Sequence, residues 1–277
     1  MYRLICVKLK GGLGNQLFQY AVARALAYKT GSVIIDTTHY ENDYSARMIG
    51  LSYFKIKASV LPKNFIAKIF KNGSRLNLFL SALGLFSSIK EEVFTVNTNI
   101  VNRLGFLTHI EGYWQSSDYF EYLRPILLKE LEPKHVPFLP AFIDSRTIAV
   151  HVRRTDYLKD DRYGFIGTEY YARAIQYFSK KIHNAKFVIF SDDIKWCKSY
   201  FKGQNILFFD VPEWEEDHLQ LYLMAQCPYQ IIANSSFSWW SAWLNQHPEK
   251  IIVRPLTPFN DHSLLYENHY PINWIPL

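Results

Sequence analysis

The chain has 277 residues, 49% of them apolar, 20% charged and 17% aromatic, a balance that supports a sizeable core and excludes a disordered or collagen-like protein. Its net charge of +6 comes with no recognisable nucleic-acid reading motif, so no nucleic-acid partner is expected. The three cysteines, Cys6, Cys197 and Cys227, are an odd set without regular spacing, which argues against a disulfide framework and against a zinc site.

The chain opens with "MYRLICVKLK", an alternating pattern with charges inside it. A secretory leader needs an uninterrupted apolar stretch, so a cytoplasmic location is expected. Residues 4–9 read as a strand, "KGGLGNQ" (10–16) as a glycine-rich turn, and about 16–28 as a helix. In that helix Phe18, Val22, Ala25 and Leu26 fall on one stripe, Gly31 closes it, and "VIID" (33–36) is the next strand. The result is a β-α-β unit.

Residues 44–90 contain no Asp or Glu and carry eight Lys or Arg, so the rest of the chain sums to −2 (6 − 8). The stretch "RLNLFLSALGLF" (75–86) is too short to span a membrane. Two readings stay open: a basic segment lying at an anionic membrane surface, with Lys63, Lys68 and Lys71 as contacts, or a core helix with a solvated basic face. After "HIEGYWQSSDYF" (109–120) and a helix ending near Glu132, "EPKHVPFLP" (132–140) places three prolines in nine residues and reads as a linker.

Beyond it, apolar strands at 147–152, 186–190, 205–209, 230–234 and 250–253 alternate with helices at 169–178, about 193–200, 217–226 and 237–244. Strands buried on both faces and separated by helices predict a parallel sheet. Several end in polar residues: Arg153, Ser191 and Asp192, Asp210, Ser235 and Ser236. Ligands of open α/β sheets bind outside such carboxyl ends.

The glycine turn has two readings. Gly12 and Gly14 match a dinucleotide fingerprint but Leu17 stands at the third glycine, with Asp36 near the ribose position. Alternatively the turn brings backbone N–H groups and Asn15, as the helix cap, to a phosphate. In "VHVRRTDY" (150–157), Arg153 is expected to hold an anion bidentately, His151 shares its face, and Arg154 points the other way to pair with Asp156 or another acid. "SDDIKW" (191–196) reads as a helix cap rather than a metal pair, and Ser235 and Ser236 before an aromatic helix form a second phosphate candidate. Trp239, Trp240 and Trp243 read as core.

"GGLGNQLFQYA", "GYWQSSDYF", "HVRRTDY", "FSDDIKWC" and "IIANSSFSWWSAWL" occur in an order and spacing that resemble the bacterial α-1,2-fucosyltransferases of glycosyltransferase family 11, over residues 4–255. The "HVRRTD" stretch is also similar to the α-1,6-fucosyltransferases, where the counterpart of Arg153 holds the diphosphate of GDP-fucose. Two positions depart from the family pattern. Thr155 stands where glycine is common, and Gln220 where an acid is usual, the nearest acid being Asp217.

The resemblance implies an α/β fold of the GT-B type. Residues 1–135 would be an N-terminal Rossmann-like half on the acceptor side, with a basic insertion at 44–90, and residues 136–277 a C-terminal half with a parallel sheet that binds the GDP-sugar. It implies inverting transfer of L-fucose from GDP-β-L-fucose to the 2-hydroxyl of a terminal galactose in a cell-surface glycan or O-antigen, with no cofactor and no essential metal. The acceptor is a galactose-terminated oligosaccharide, and a lipid-linked one fits the basic segment at the inner face of the membrane. The implied donor set is Gly12, Gly14, Asn15, Gln16, His151, Arg153, Arg154, Asp192, Ser235, Ser236 and Phe237. Arg153, Asp156 and His151 are the catalytic candidates: a fixed guanidinium stabilises the leaving diphosphate, and a carboxylate beside it is the leading base, ahead of Asp160, Asp161 and Glu111. Tyr113, Trp114 and Gln115 are candidates to stack on and hydrogen-bond the acceptor. Two other classes stay open, a dinucleotide-dependent oxidoreductase and a non-catalytic glycan-binding relative.

Overall fold

The computed structural model describes residues 2–41, 49–60, 75–91, 96–136, 138–210, 216–264 and 268–277. The chain divides into two compact units, residues 1–132 with 266–269 and residues 133–265 with 270–277.

The first unit is built on a five-stranded sheet of β1 (Arg3–Lys8), β2 (Gly31–Asp36), β3 (Ala58–Val60), β4 (Phe86–Lys90) and β5 (Leu107–Glu111). Their order is β3-β2-β1-β5-β4, and every pairing is parallel. Helix α1 (Leu13–Leu26) makes the crossover from β1 to β2. Twelve of its 14 residues are buried, so the expected single stripe is corrected to a helix enclosed on nearly all sides. Gly31 does not close this helix but opens β2, where a Cβ would meet the Arg3 carbonyl oxygen at 2.2 Å. The left-handed turn after the helix belongs to Lys29, at φ 66°. Buried Glu130, the last residue of α3 (Arg124–Glu130), accepts from Tyr20 Oη at 2.6 Å and from Arg24, which ties α3 to α1.

The apolar stretch 75–86 resolves into helix α2 (Arg75–Ala82), a turn and the start of β4. Leu80 packs with Leu4, Phe86 and Leu107, while Leu78, Phe79 and Leu83 are exposed, so only one edge of this segment is core. Lys63, Lys68 and Lys71 lie outside the described residues. Among the described residues no helix is long and apolar enough to cross a membrane.

The second unit carries β6 (Thr147–Val152), β7 (Lys186–Ser191), β8 (Ile206–Phe208), β9 (Tyr229–Ile231), β10 (Ile251–Arg254) and β11 (Ile275–Pro276) in the order β11-β10-β9-β6-β7-β8, again all parallel. Counted from β6, this is the doubly wound order in which crossovers run outward in both directions from the first strand. Helices α4 (Thr168–Lys181), α5 (Ile194–Tyr200), α6 (Asp217–Gln226) and α7 (Ser236–Leu244) make the connections. On one face Ile148, Val150 and Val152 pack on Tyr171, Ala174 and Phe178; on the other Ala149 and Phe190 pack on Leu223 and Met224. Each of the Ile, Val, Leu, Met and Phe side chains among these contributes roughly 1.5–3 kcal/mol on burial. β9 stops at Ile231 rather than Asn234, because Asn234 turns its amide to the Gly164 and Pro258 carbonyls. Trp239, Trp240 and Trp243 are buried, as their core reading requires.

Candidate functional site

In the second unit the strand order reverses between β6 and β9, and the polar residues that follow those strands gather at that edge. Arg153 comes directly after β6. Its Nε and Nη2 donate to the two carboxylate oxygens of Asp156 at 2.8 and 2.7 Å, and Nε lies 3.5 Å from Asp192. Burial works against the Arg153 charge, but the two carboxylates outweigh it and hold the guanidinium firmly cationic. Asp192, after β7, accepts from the backbone N–H groups of Arg154 and Thr155 at 3.0 and 3.1 Å and from the Thr155 hydroxyl. One carboxylate therefore fixes the backbone that carries both arginines.

Arg154 is tied into the protein, though to a different partner than expected. Its Nη1 donates to Asp193 at 2.6 Å and its guanidinium lies 4.6 Å from the Trp196 ring centroid. Asp156 belongs to Arg153 instead, because the turn after β6, closed by Leu158 N–H on the Arg154 carbonyl, brings residue 156 back over residue 153. In "SDDIKW" Asp193 caps α5 by accepting from Trp196 N–H at 3.1 Å, and Ser191 Oγ accepts from Asp193 N–H at 2.9 Å. The cap reading holds.

His151 is buried within the field of Arg153. Burial first, and Arg153 second, push its imidazole down to about 3, so the ring is neutral at physiological pH. Among the described residues its buried Nδ1 has no hydrogen-bond partner, and the Phe237 ring centroid is 5.5 Å from its own. Ser235 caps α7, accepting from Phe237 N–H at 3.3 Å, and its hydroxyl also bonds Tyr157. Ser236 and Phe237, the first residues of α7, are partly exposed. Asp217, the first residue of α6, is solvent-accessible yet closely surrounded; that crowding pushes its carboxyl up while Arg153 and His218 pull it down. The sequence reading missed Tyr157, whose ring lies under the Arg153 guanidinium at 5.9 Å; its position four residues after the arginine was the available signal. Asp160 is held by Arg162 at 2.7 Å, and Asp161 is exposed in the same turn.

Gly12, Gly14, Asn15 and Gln16 belong to the first unit. The N-cap of α1 is Gly12, which corrects the assignment of Asn15; Asn15 is the third helical residue, and its Oδ1 accepts from Gln115 Nε2 at 2.7 Å. Gly11 takes φ +77°, and a Cβ there would meet Asn15 Nδ2 at 2.4 Å. Gly14 is buried in the first turn. Gln16 is fully buried, donating to the Gly11 carbonyl and Tyr40 Oη at 3.2 and 2.9 Å and accepting from Gly50 N–H at 2.9 Å, so it clamps the turn rather than facing a ligand. Asp36 is equally occupied: burial would raise its carboxyl, but His109 and Thr38 hold it below the usual range. Trp114 is 2% exposed and packs edge-on to Tyr119, a core residue rather than a sugar platform. Glu111 pairs with Lys8 at 3.6 Å.

With this geometry in place, comparison with known proteins decides the family: residues 3–277 match the model of Glycosyl transferase family 11. The chain belongs to that family. It is a glycosyltransferase on an α/β, GT-B-like fold.

The chain is 29% identical to the Escherichia coli alpha-1,2-colitosyltransferase, over 98% of both chains. It is 28% identical to the O-antigen biosynthesis glycosyltransferase WbnK of Escherichia coli, over 89% of this chain and 92% of that one. The mouse galactoside 2-alpha-L-fucosyltransferase Sec1 is 24% identical over 87% of this chain and 64% of its own length. The crystal structure of fucosyltransferase NodZ from Bradyrhizobium superposes with a TM-score of 0.50 at 13% identity, covering 87% of this chain and 93% of that one, a likeness of fold. Family 11 membership leaves the oxidoreductase alternative without support, since the fingerprint lacks its third glycine and Asp36 is engaged inside the first unit.

Proposed function

We propose that this family 11 chain is an inverting transferase that moves L-fucose from GDP-β-L-fucose to the 2-hydroxyl of a terminal galactose in O-antigen or cell-surface glycan synthesis. The observation that carries the reading is Arg153, a fixed guanidinium at the carboxyl end of β6, beside the neutral His151 and the partly exposed start of α7. As the bond from sugar to diphosphate breaks, negative charge grows on the leaving GDP and positive charge on the sugar carbon. A cation already aimed by Asp156 and Asp192 stabilises that charge without having to reorient. In this reading no essential metal is needed, because Arg153 supplies the charge. The N-terminal residues of α7, Ser236 and Phe237, complete the donor contacts, with the buried His151 packed behind them against Phe237.

Asp156 aims Arg153 through both carboxylate oxygens and lies beside the departing group, where it can also take the proton of the acceptor hydroxyl. An acceptor carried on a lipid fits the basic segment 44–90 and the exposed Leu78 and Phe79 of α2, with the protein peripheral at the inner face of the membrane. Sedimentation with anionic liposomes tests that part; a chain that stays in the supernatant ends it.

The family resemblance leaves two donor sugars to separate, fucose and its 3-deoxy analogue colitose, named by the 29% identical relative. The deciding experiment supplies GDP-fucose or GDP-colitose with lactose or N-acetyllactosamine and reads the product linkage by NMR. An α-1,2-fucosylated galactoside supports the proposal. Turnover of GDP-colitose alone, or a product linked elsewhere, overturns it.

A further inference from the structure

In the first unit β1 and β5 are parallel neighbours at the middle of the sheet, so the residues that follow them meet at its carboxyl edge. The residues that follow these strands are locked together. Buried Gln19 accepts from Lys10 N–H at 3.0 Å and donates to the Lys10 and Gly112 carbonyls at 3.3 and 3.0 Å, bridging the two strand ends. Glu91 accepts from Tyr113 and Trp114 N–H at 2.6 and 2.9 Å. Gln115 Nε2 is fixed on Asn15. The glycine at 112 is required for this closeness, since a Cβ there would meet Glu91 Cβ at 2.4 Å.

This scaffold presents Lys10 Nζ 4.3 Å from the centroid of the partly exposed Tyr113 ring. Lys10 has no ion-pair partner among the described residues, because Glu111 pairs with Lys8 and Glu91 holds backbone N–H groups. Burial lowers its ammonium pKa, with Glu111 and Glu91 opposing. An ammonium with protons to donate beside an aromatic face suits a polyhydroxyl ligand, and Glu111 and Glu91 offset two of the three positive charges of Lys8, Lys10 and Lys90. Galactose meets that description, since its axial O4 leaves the opposite face of the ring to C–H groups that pack on an aromatic.

We infer that Lys10 and Tyr113 form the acceptor-binding pair of this enzyme, Tyr113 stacking under the terminal galactose and Lys10 donating to its ring hydroxyls. The inference rests on the transferase reading and adds to it the residues that select the acceptor. Lys10 opens the glycine-rich turn 10–16 and was not among the residues the sequence singled out for a ligand.

Saturation-transfer NMR with lactose, and with methyl β-glucoside as control, tests the pair on wild type, K10M, Y113A and Y113F, each with and without GDP. Lactose C–H signals in wild type and an affinity at least about tenfold weaker in K10M and Y113A are expected, as for loss of one charged hydrogen bond or one stacked ring. Y113F keeps the ring and stays within about threefold of wild type. GDP titration of the same proteins is unchanged. Lactose binding equal to wild type in K10M and Y113A overturns the inference, as does a wild type that takes no galactoside in either state. A wild type that binds lactose but not GDP sinks the donor assignment and leaves this pair standing.

Discussion

Arg153 and Asp156 meet through two hydrogen bonds, 2.8 and 2.7 Å long, to separate oxygens of one carboxylate. That fork sets the direction of the guanidinium, and the first prediction follows from it. In D156N the aim is lost while the arginine remains. GDP affinity should change by less than about threefold, whereas transfer should slow by at least about tenfold, since transition-state charge is sensitive to donor placement. Steady-state kinetics beside calorimetry checks this. Equal losses in GDP binding and in turnover would make Asp156 part of the donor site instead.

Arg154 should behave differently from its neighbour. It is held by Asp193 and stacked on Trp196 inside the second unit. R154A is expected to cost about 1–2 kcal/mol, a few degrees of melting temperature, from a lost charged hydrogen bond and ring contact. GDP affinity should stay near wild type.

The Thr155 hydroxyl reaches Asp192, the carboxylate that also holds the Arg154 and Thr155 backbone. T155V removes one hydrogen bond of about 1 kcal/mol and should lower GDP affinity by no more than about fivefold. D192N weakens the charge that supports all these donors and should lower it by much more. The two titrations rank the carboxylate above the hydroxyl; the reverse order would contradict the role assigned to Asp192.

His151 gives a pH signature. Its folded imidazole is held down to about 3, against about 6.5 in an unfolded chain. Below pH 6.5 the unfolded state takes up a proton that the folded state refuses. Stability present above 6.5 is therefore lost as the pH falls toward 3, at up to about 1.4 kcal/mol per pH unit from this group. Denaturant melts between pH 7 and 4 should show this slope in wild type and a shallower one in H151F.

Much of the second unit was legible in the sequence because its strands are buried on both faces and read as unbroken apolar runs; α6 falls on 217–226 as expected. The end of β9 was not legible. Asn234 leaves the ladder for loop carbonyls distant in sequence, which no local pattern announces. Arg153 and His151 could be placed from strand alternation alone. The partners of the two arginines could not, since Asp156 reaches Arg153 through a turn and Asp193 reaches Arg154 from another strand end. Gln16 looked available to a ligand because it follows the glycines, and only the approach of Tyr40 and Gly50 shows it to be a clamp. Trp114 took the place of a sugar platform in sequence, yet its φ of 57° turns the chain so that the ring enters the core.

The most direct test of the account is calorimetric titration of GDP and NAD into wild type, R153K and R153A. The account predicts saturable GDP binding to wild type, a loss of at least about tenfold in R153K, where the bidentate fork is gone, and a larger loss in R153A. NAD should not bind. Undiminished GDP affinity in R153A, or NAD binding with GDP ignored, would contradict it.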